Sequence, residues 1–274
     1  MGPAYKPPAS APQWLVPVST LCLGAGVCLW TVCYILMARR ALQTHATPIP
    51  LVALAMNLAW ELVYGLYVAD MPVAVAGFIL WLLFDLPVLY ATVTQAKHSF
   101  AASPLVARNI GMLLSIVTVG CAAAHLLFAR WWLAEPHRGH GSKEGKLWFN
   151  LEARDTTELA WWSAGLSQLV LSVSWLAMLL SRGHSGGQSY GIWFCRFAGS
   201  VMGLLVTCCL LWWYWPEPHG FIFHPLSYII MTPWFACDVA YPFVLAHVRK
   251  SEKVLPNGMV VVGDADDAGR KEKL

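Results

Sequence analysis

The chain has 274 residues, 58% of them hydrophobic and 12% charged, with a formal net charge of +3. A soluble domain carries about 25% charged residues, so an ordinary soluble fold is excluded and no nucleic-acid partner is expected. The composition, including fifteen tryptophans, points to an all-α protein that crosses the lipid bilayer several times.

Residues 1–15 form a polar, Pro-rich segment without the charged start of a secretory signal, so the first apolar run is read as a transmembrane helix and not as a cleaved leader. A spanning helix needs roughly 20 apolar residues. Seven segments meet that rule, at about 16–37, 49–68, 72–94, 106–128, 157–180, 190–214 and 222–247. They define a transmembrane domain over 16–247. Between the fourth and fifth lies a longer loop, 129–156, of mixed charge. The tail, 248–274, is polar and rich in Gly, Asp and Lys, and is expected to be disordered. No internal repeat is evident. All eight cysteines fall in apolar spans at spacings that suggest neither a disulfide framework nor a zinc site.

Orientation follows from Lys and Arg in short loops. Arg39, Arg40, Lys97, Arg108, Arg182, Arg249, Lys250 and Lys253 all fall on the side of the C-terminus, whereas the short loops around Asp70 and Glu217 carry neither residue type. The expected bundle therefore has a luminal N-terminus and a cytoplasmic C-terminus. Trp131, Trp132, Trp161, Trp162, Trp212, Trp213 and Trp215 then collect at the luminal interface as an aromatic belt.

Three spans contain a carboxylic acid: Glu61 in the second, Asp85 in the third and Asp238 in the seventh. A carboxylate at mid-bilayer costs several kcal/mol unless paired, solvated or protonated, which makes each a functional candidate. At 1.5 Å per residue, Glu61 lies roughly 18 Å from the cytoplasmic end and the two aspartates roughly 14 Å. Three acids at one depth predict a shared polar cavity. Positions three or four apart share a helix face. Asn57 and Tyr64 accompany Glu61 in this way, Trp81 accompanies Asp85, and Trp234 and Tyr241 accompany Asp238. Gln168, Ser172 and Arg196 are further candidates for the cavity, although Arg196 near a helix end is equally expected to snorkel to the headgroups. Interhelical hydrogen bonding that merely fixes the bundle is the alternative reading of the acids.

His125 reads as a packing residue, and His137 and His140 as solvated loop histidines, so no metal ligands and no cofactor are expected. The string DADD at 264–267 matches an acid motif of soluble terpene cyclases by chance, because it lacks the apolar pocket that would hold its proton. The DDxxD and NDxxD patterns that hold magnesium and diphosphate are absent.

The segments NLAWELVYGLY, LWLLFDLPVLYATV, SQLVLSVSWLAMLLSRGHSGGQSYGIWFCRFAG and CDVAYPFVLAH, in order from about Trp30 to His247, resemble the fungal integral-membrane terpene cyclases of meroterpenoid and indole-diterpene biosynthesis, the paxilline and pyripyropene type. The most specific are N-x-x-W-E, with Asn57, Trp60 and Glu61, and D-x-x-Y-P, with Asp238, Tyr241 and Pro242. The resemblance implies a metal-independent cyclase in the endoplasmic reticulum that protonates the terminal epoxide of a hydrophobic prenylated substrate. It implies Glu61 and Asp238 as the essential acids and Asp85 as a supporting one. An epoxidase and a prenyltransferase would act upstream. Trp60, Trp81 and Trp234 are the aromatic faces available to a travelling cation. Two rival readings are a proton-coupled transporter, which also uses intramembrane acids, and a seven-helix receptor.

Overall fold

The computed structural model describes residues 5–263, so the DADD string lies outside the described residues. Among the described residues, seven helices are long and apolar enough to cross a membrane: α1 (Leu15–Thr44), α2 (Leu51–Val68), α3 (Pro72–Thr94), α4 (Ile110–Ala134), α5 (Thr156–Arg182), α6 (Tyr190–Tyr214) and α7 (Pro225–Ser251). The fourth helix starts later than the apolar run suggests. Residues Pro104–Arg108 make a separate short helix, and Asn109 leaves the helical conformation before Ile110.

Helix ends follow local chemistry. Asp155 caps α5, its Oδ1 accepting the Thr157 and Glu158 amides at 3.0 and 2.9 Å, which satisfies donors that the first turn leaves free. Gly183 ends the same helix at φ 64°, in the left-handed region that glycine enters at no steric cost. Pro72 and Pro225 open α3 and α7, where the missing N–H costs nothing.

Within the bundle α2 packs on α4, α5 on α7, and α1 on α3 and α6. The α1–α6 contact is unusually close: a methyl group on Gly26 would sit 2.7 Å from the Gly203 Cα. Small residues allow this approach where lipid supplies no hydrophobic drive. Large apolar side chains such as Leu21, Leu66, Val119 and Phe243 face outward, while Glu61, Asp85, Arg196 and Asp238 are buried. That inversion of soluble-protein logic is the surface expected of a lipid-embedded bundle.

Two stretches of π-helix interrupt the spans, Tyr64–Val68 in α2 and Val201–Val206 in α6. Such wide turns are common near functional sites, and these follow Glu61 and Arg196 within about two turns.

The ends of the bundle are ordered too. The 129–156 loop carries a two-stranded hairpin, β1 (Leu147–Trp148) and β2 (Leu151–Glu152). After α7, residues Glu252–Val254 (β3) and Val260–Val262 (β4) pair antiparallel. This part of the tail is therefore folded, in contrast to the expected disorder, and Val260 is buried within it.

Candidate functional site

The three acids sort into two buried groups, and the single shared cavity anticipated from their common depth is replaced by two sets of partners. The first group joins α1, α2 and α3. Asn57 and Glu61 stand one turn apart on α2, and Asp85 faces them from α3. The Asn57 amide nitrogen lies 2.8 Å from Asp85 Oδ2, 3.0 Å from Glu61 Oε1 and 2.9 Å from the Tyr34 hydroxyl. Tyr34, from α1, donates to Glu61 Oε1 at 2.8 Å. The second oxygens, Glu61 Oε2 and Asp85 Oδ1, are buried and have no hydrogen-bond partner among the described residues.

An aromatic wall stands beside this group. Tyr64 stacks on Trp60 with ring centroids 5.2 Å apart, and Phe78 lies 5.1 Å from Trp60. Trp81 completes the set at 6.2 Å from Trp60 and 5.8 Å from Phe78. Trp60 is oriented by its indole N–H, which donates to Ser163 Oγ at 3.1 Å. His125 meets Tyr64 edge-on, as a packing residue should.

The second group is centred on Asp238 of α7. Arg196 donates to Asp238 Oδ1, while Oδ2 accepts from Trp234 Nε1 at 2.7 Å and Ser172 Oγ at 3.1 Å. Arg196 also donates to Ser172 at 2.9 Å, and its guanidinium lies over the Trp175 ring at 4.7 Å. Arg196 therefore does not snorkel. It is 1% exposed, because the carboxylate and the indole face together replace the water it gives up. Gln168 extends the network, donating to Ser172 at 3.0 Å and accepting from Ser200 at 2.9 Å. Tyr241 turns its hydroxyl away from Asp238 to Gln188 Oε1 at 2.9 Å. Its ring remains 5.8 Å from the Arg196 guanidinium.

Trp30 of α1 lies between the groups: its indole N–H donates to Ser200 at 3.1 Å, and its ring is 5.7 Å from that of Tyr34. Tyr34, Trp30, Phe78, Trp175, Trp193 and Ser200 escaped sequence reasoning, which followed carboxylates and their same-helix neighbours. The one available signal was Trp30 and Tyr34, four apart on one face of α1. An open apolar groove of about 660 Å³ runs along the outer face of α7 past Met231, Phe235 and Val239, and meets the second group at Trp234.

A third polar cluster lies outside the spans, at the end of the bundle that holds the N-terminus. Lys143 bridges Asp155 and Glu158 at 3.1 and 2.9 Å, and Lys146 Nζ lies 2.7 Å from His219 Nε2 and 4.2 Å from the Tyr5 ring centroid. The short bond of His219 Nδ1 to the Trp215 carbonyl, 2.6 Å, requires Nδ1 to carry the hydrogen and leaves Nε2 to accept from Lys146. Burial, reinforced by the Lys146 ammonium, pushes His219 down to about 3. Burial likewise lowers Lys146 to about 8. Burial alone would raise Asp155, but Lys146 and Lys143 hold it at about 2. His140 is not simply solvated: its Nδ1 lies 2.5 Å from Glu158 Oε1. Of the expected aromatic belt, Trp131 and Trp213 are exposed, whereas Trp132, Trp161 and Trp215 are buried in this end of the fold. Among the described residues no group of three His, Cys, Asp or Glu side chains is arranged to hold a metal ion.

The model of the family described as Pyr4-like transmembrane terpene cyclases matches residues 3–251. The chain belongs to that family. Among similar proteins, the terpene cyclase ascF of Acremonium egyptiacum is 36% identical over 96% of this chain and 93% of its own length. The terpene cyclase paxB of Penicillium paxilli is 30% identical over 89% of this chain and 91% of its own length. The terpene cyclase dpchB of Colletotrichum higginsianum is 32% identical over 89% and 90% respectively. No solved structure matches the chain. This Pyr4-like cyclase is thus an integral, multi-pass membrane enzyme that cyclises terpenoids, and the transporter reading gives way to it.

Proposed function

We propose that this enzyme acts without a metal, protonating the terminal epoxide of a prenylated aromatic or polyketide substrate and steering the resulting cation into rings. The observation that carries the reading is the Glu61–Asn57–Asp85 arrangement. Among the described residues, two carboxyl groups share one amide and no cation, and each keeps one buried oxygen without a partner. Two like charges this close are disfavoured, so the pair keeps a proton between them. A protonated acid in a dry, apolar setting is what an epoxide oxygen needs, and the Trp60, Tyr64, Phe78 and Trp81 faces offer a cation a non-nucleophilic neighbour.

In this mechanism the acid pair gives a proton to the epoxide oxygen as the tertiary C–O bond breaks. An internal alkene attacks the tertiary carbon, and further alkenes extend the cascade. The last cation loses a proton from carbon to the Glu61–Asp85 pair, which the first step left one proton short. One proton enters and one leaves, so the reaction is an isomerisation that returns the acids to their starting state. Asp238, paired with Arg196, offers a fixed, oriented dipole to the developing cation. Asp238 and Glu61 thus divide the work as electrostatic support and acid, with Asp85 and Asn57 beside the acid.

The substrate is hydrophobic and arrives through the bilayer, in the endoplasmic reticulum. It is supplied by an epoxidase and a prenyltransferase. The test is turnover by microsomes carrying the chain, given a panel of epoxy-farnesyl phenols and epoxy-geranylgeranyl indoles in excess EDTA. Cyclised isomers of unchanged mass are expected. Activity that disappears in EDTA and returns with magnesium would defeat the proton-donor reading.

A further inference from the structure

We infer that Tyr34 is a positioning residue that fixes the acidic proton of Glu61 on Oε2; this deepens, and rests on, the proton-donor reading of Glu61. The argument is a count of hydrogens. The Asn57 amide nitrogen has two, yet three acceptors surround it: Asp85 Oδ2, Glu61 Oε1 and the Tyr34 oxygen, at 2.8, 3.0 and 2.9 Å. Asn57 alone does not serve both carboxyls and the phenol. The Tyr34 hydroxyl resolves the shortage by donating its own hydrogen to Glu61 Oε1 at 2.8 Å.

With Oε1 occupied as an acceptor, a proton on Glu61 belongs on Oε2, the oxygen without a partner among the described residues. Oε1 is then the carbonyl oxygen of a neutral acid, and Oε2 carries the hydrogen free for a reacting oxygen. The same logic places an Asp85 proton on Oδ1, opposite the oxygen that Asn57 bonds. Tyr34 is itself immobilised. It is 2% exposed, and the Trp30 ring packs 5.7 Å away on the same face of α1. A hydroxyl held by its own packed helix is the kind of supporting shell that keeps a reacting group in its productive geometry.

Tyr34→Phe removes the donor and keeps the ring. In the full-length protein, kcat should fall about 10–100-fold, the scale on which small misplacements of a reacting group are felt. KM should stay within about twofold, since Tyr34 acts on Glu61 and not on substrate. Infrared difference spectroscopy gives the readout that a merely structural role would not move. The carbonyl band of protonated Glu61, assigned by its loss in Glu61→Gln, should shift to higher wavenumber in Tyr34→Phe, because the phenol's hydrogen bond is removed and the longer Asn57 contact at 3.0 Å is what remains on that oxygen. A folded Tyr34→Phe protein with unchanged kcat and an unchanged band would overturn the inference while leaving the acid role of Glu61 intact. Full activity in Glu61→Gln would instead overturn the proton-donor reading, and this inference with it. Should Tyr34→Phe fail to accumulate, the wild-type band decides: a Glu61 carbonyl at the frequency of an unbonded acid rules out the Tyr34 contact.

Discussion

Trp193 of α6 donates its indole hydrogen to the backbone carbonyl of Asp238 at 2.8 Å. That carbonyl lies four residues before Pro242, which lacks the N–H that would otherwise bond it within the helix. The proline in D-x-x-Y-P thus opens a backbone acceptor, and a tryptophan from the neighbouring helix closes it. The bond ties α7 to α6 at the residue whose side chain pairs with Arg196, so backbone and side chain of Asp238 are both held by α6.

Trp193→Phe should therefore destabilise the enzyme by about 1–3 kcal/mol, the cost of leaving a buried acceptor unmade. Thermal unfolding in detergent measures this. Activity should drop as well, since the Asp238 backbone loses its tie to α6 and the carboxylate it carries is held less firmly in place. An unchanged melting temperature would mean that another donor reaches the carbonyl.

The two acid groups should respond differently to substitution. Glu61→Gln should abolish cyclisation in a protein that still folds, because the amide keeps size but delivers no proton; general acid–base catalysis is typically worth about 10²–10⁴-fold. Asp85→Asn should cost less, since Glu61 remains. Asp238→Asn should abolish activity and also destabilise by about 3–5 kcal/mol, because Arg196 is left as an uncompensated buried charge. Replacing both, as Arg196→Met with Asp238→Asn, should recover stability but not turnover. Product analysis beside melting curves for the four variants checks the pattern; recovery of turnover in the double variant would remove the ion pair from the mechanism.

The N-terminal end of the bundle should weaken in acid. Between pH 6.5 and about 3, the unfolded chain takes up a proton on the His219 imidazole that the folded chain refuses. Between 3.8 and about 2 the same holds for Asp155. The contribution of these two groups is thus fully present above pH 6.5 and falls as pH drops through these windows. Melting temperatures from pH 8 to 4 should decline below 6.5 in the wild type. In His219→Gln the decline over this range should be smaller. An identical pH dependence in the two proteins would show that His219 is not the titrating group.

From the basic residues on one side of the short loops we expect a cytoplasmic C-terminus and a luminal N-terminus. Glycosylation acceptor sites added before Leu15 should be modified in the endoplasmic reticulum, and sites added after Val262 should not. Modification of the second set alone would invert the assignment.

The sequence by itself determined the seven helices, the membrane solvent and the identity of Glu61, Asp85 and Asp238. These rest on local quantities: a run of about 20 apolar residues must span, and an acid within it stands out at once. It also determined that Asn57 would join Glu61 and that Trp234 would join Asp238, since a turn of helix brings residues four apart together. Only the tertiary structure decided which acid meets which partner. Arg196 sits on α6 and Asp238 on α7, and nothing in either helix reports the other; its position near a span end fits snorkelling equally well. Tyr34 lies 27 residues before Glu61 and reaches it only because α1 and α2 fold side by side. Trp193 had no reason to matter until Pro242 exposed a carbonyl beside it. Periodicity reads one helix at a time, whereas the choice between a guanidinium partner and a bridging amide is made where the helices pack.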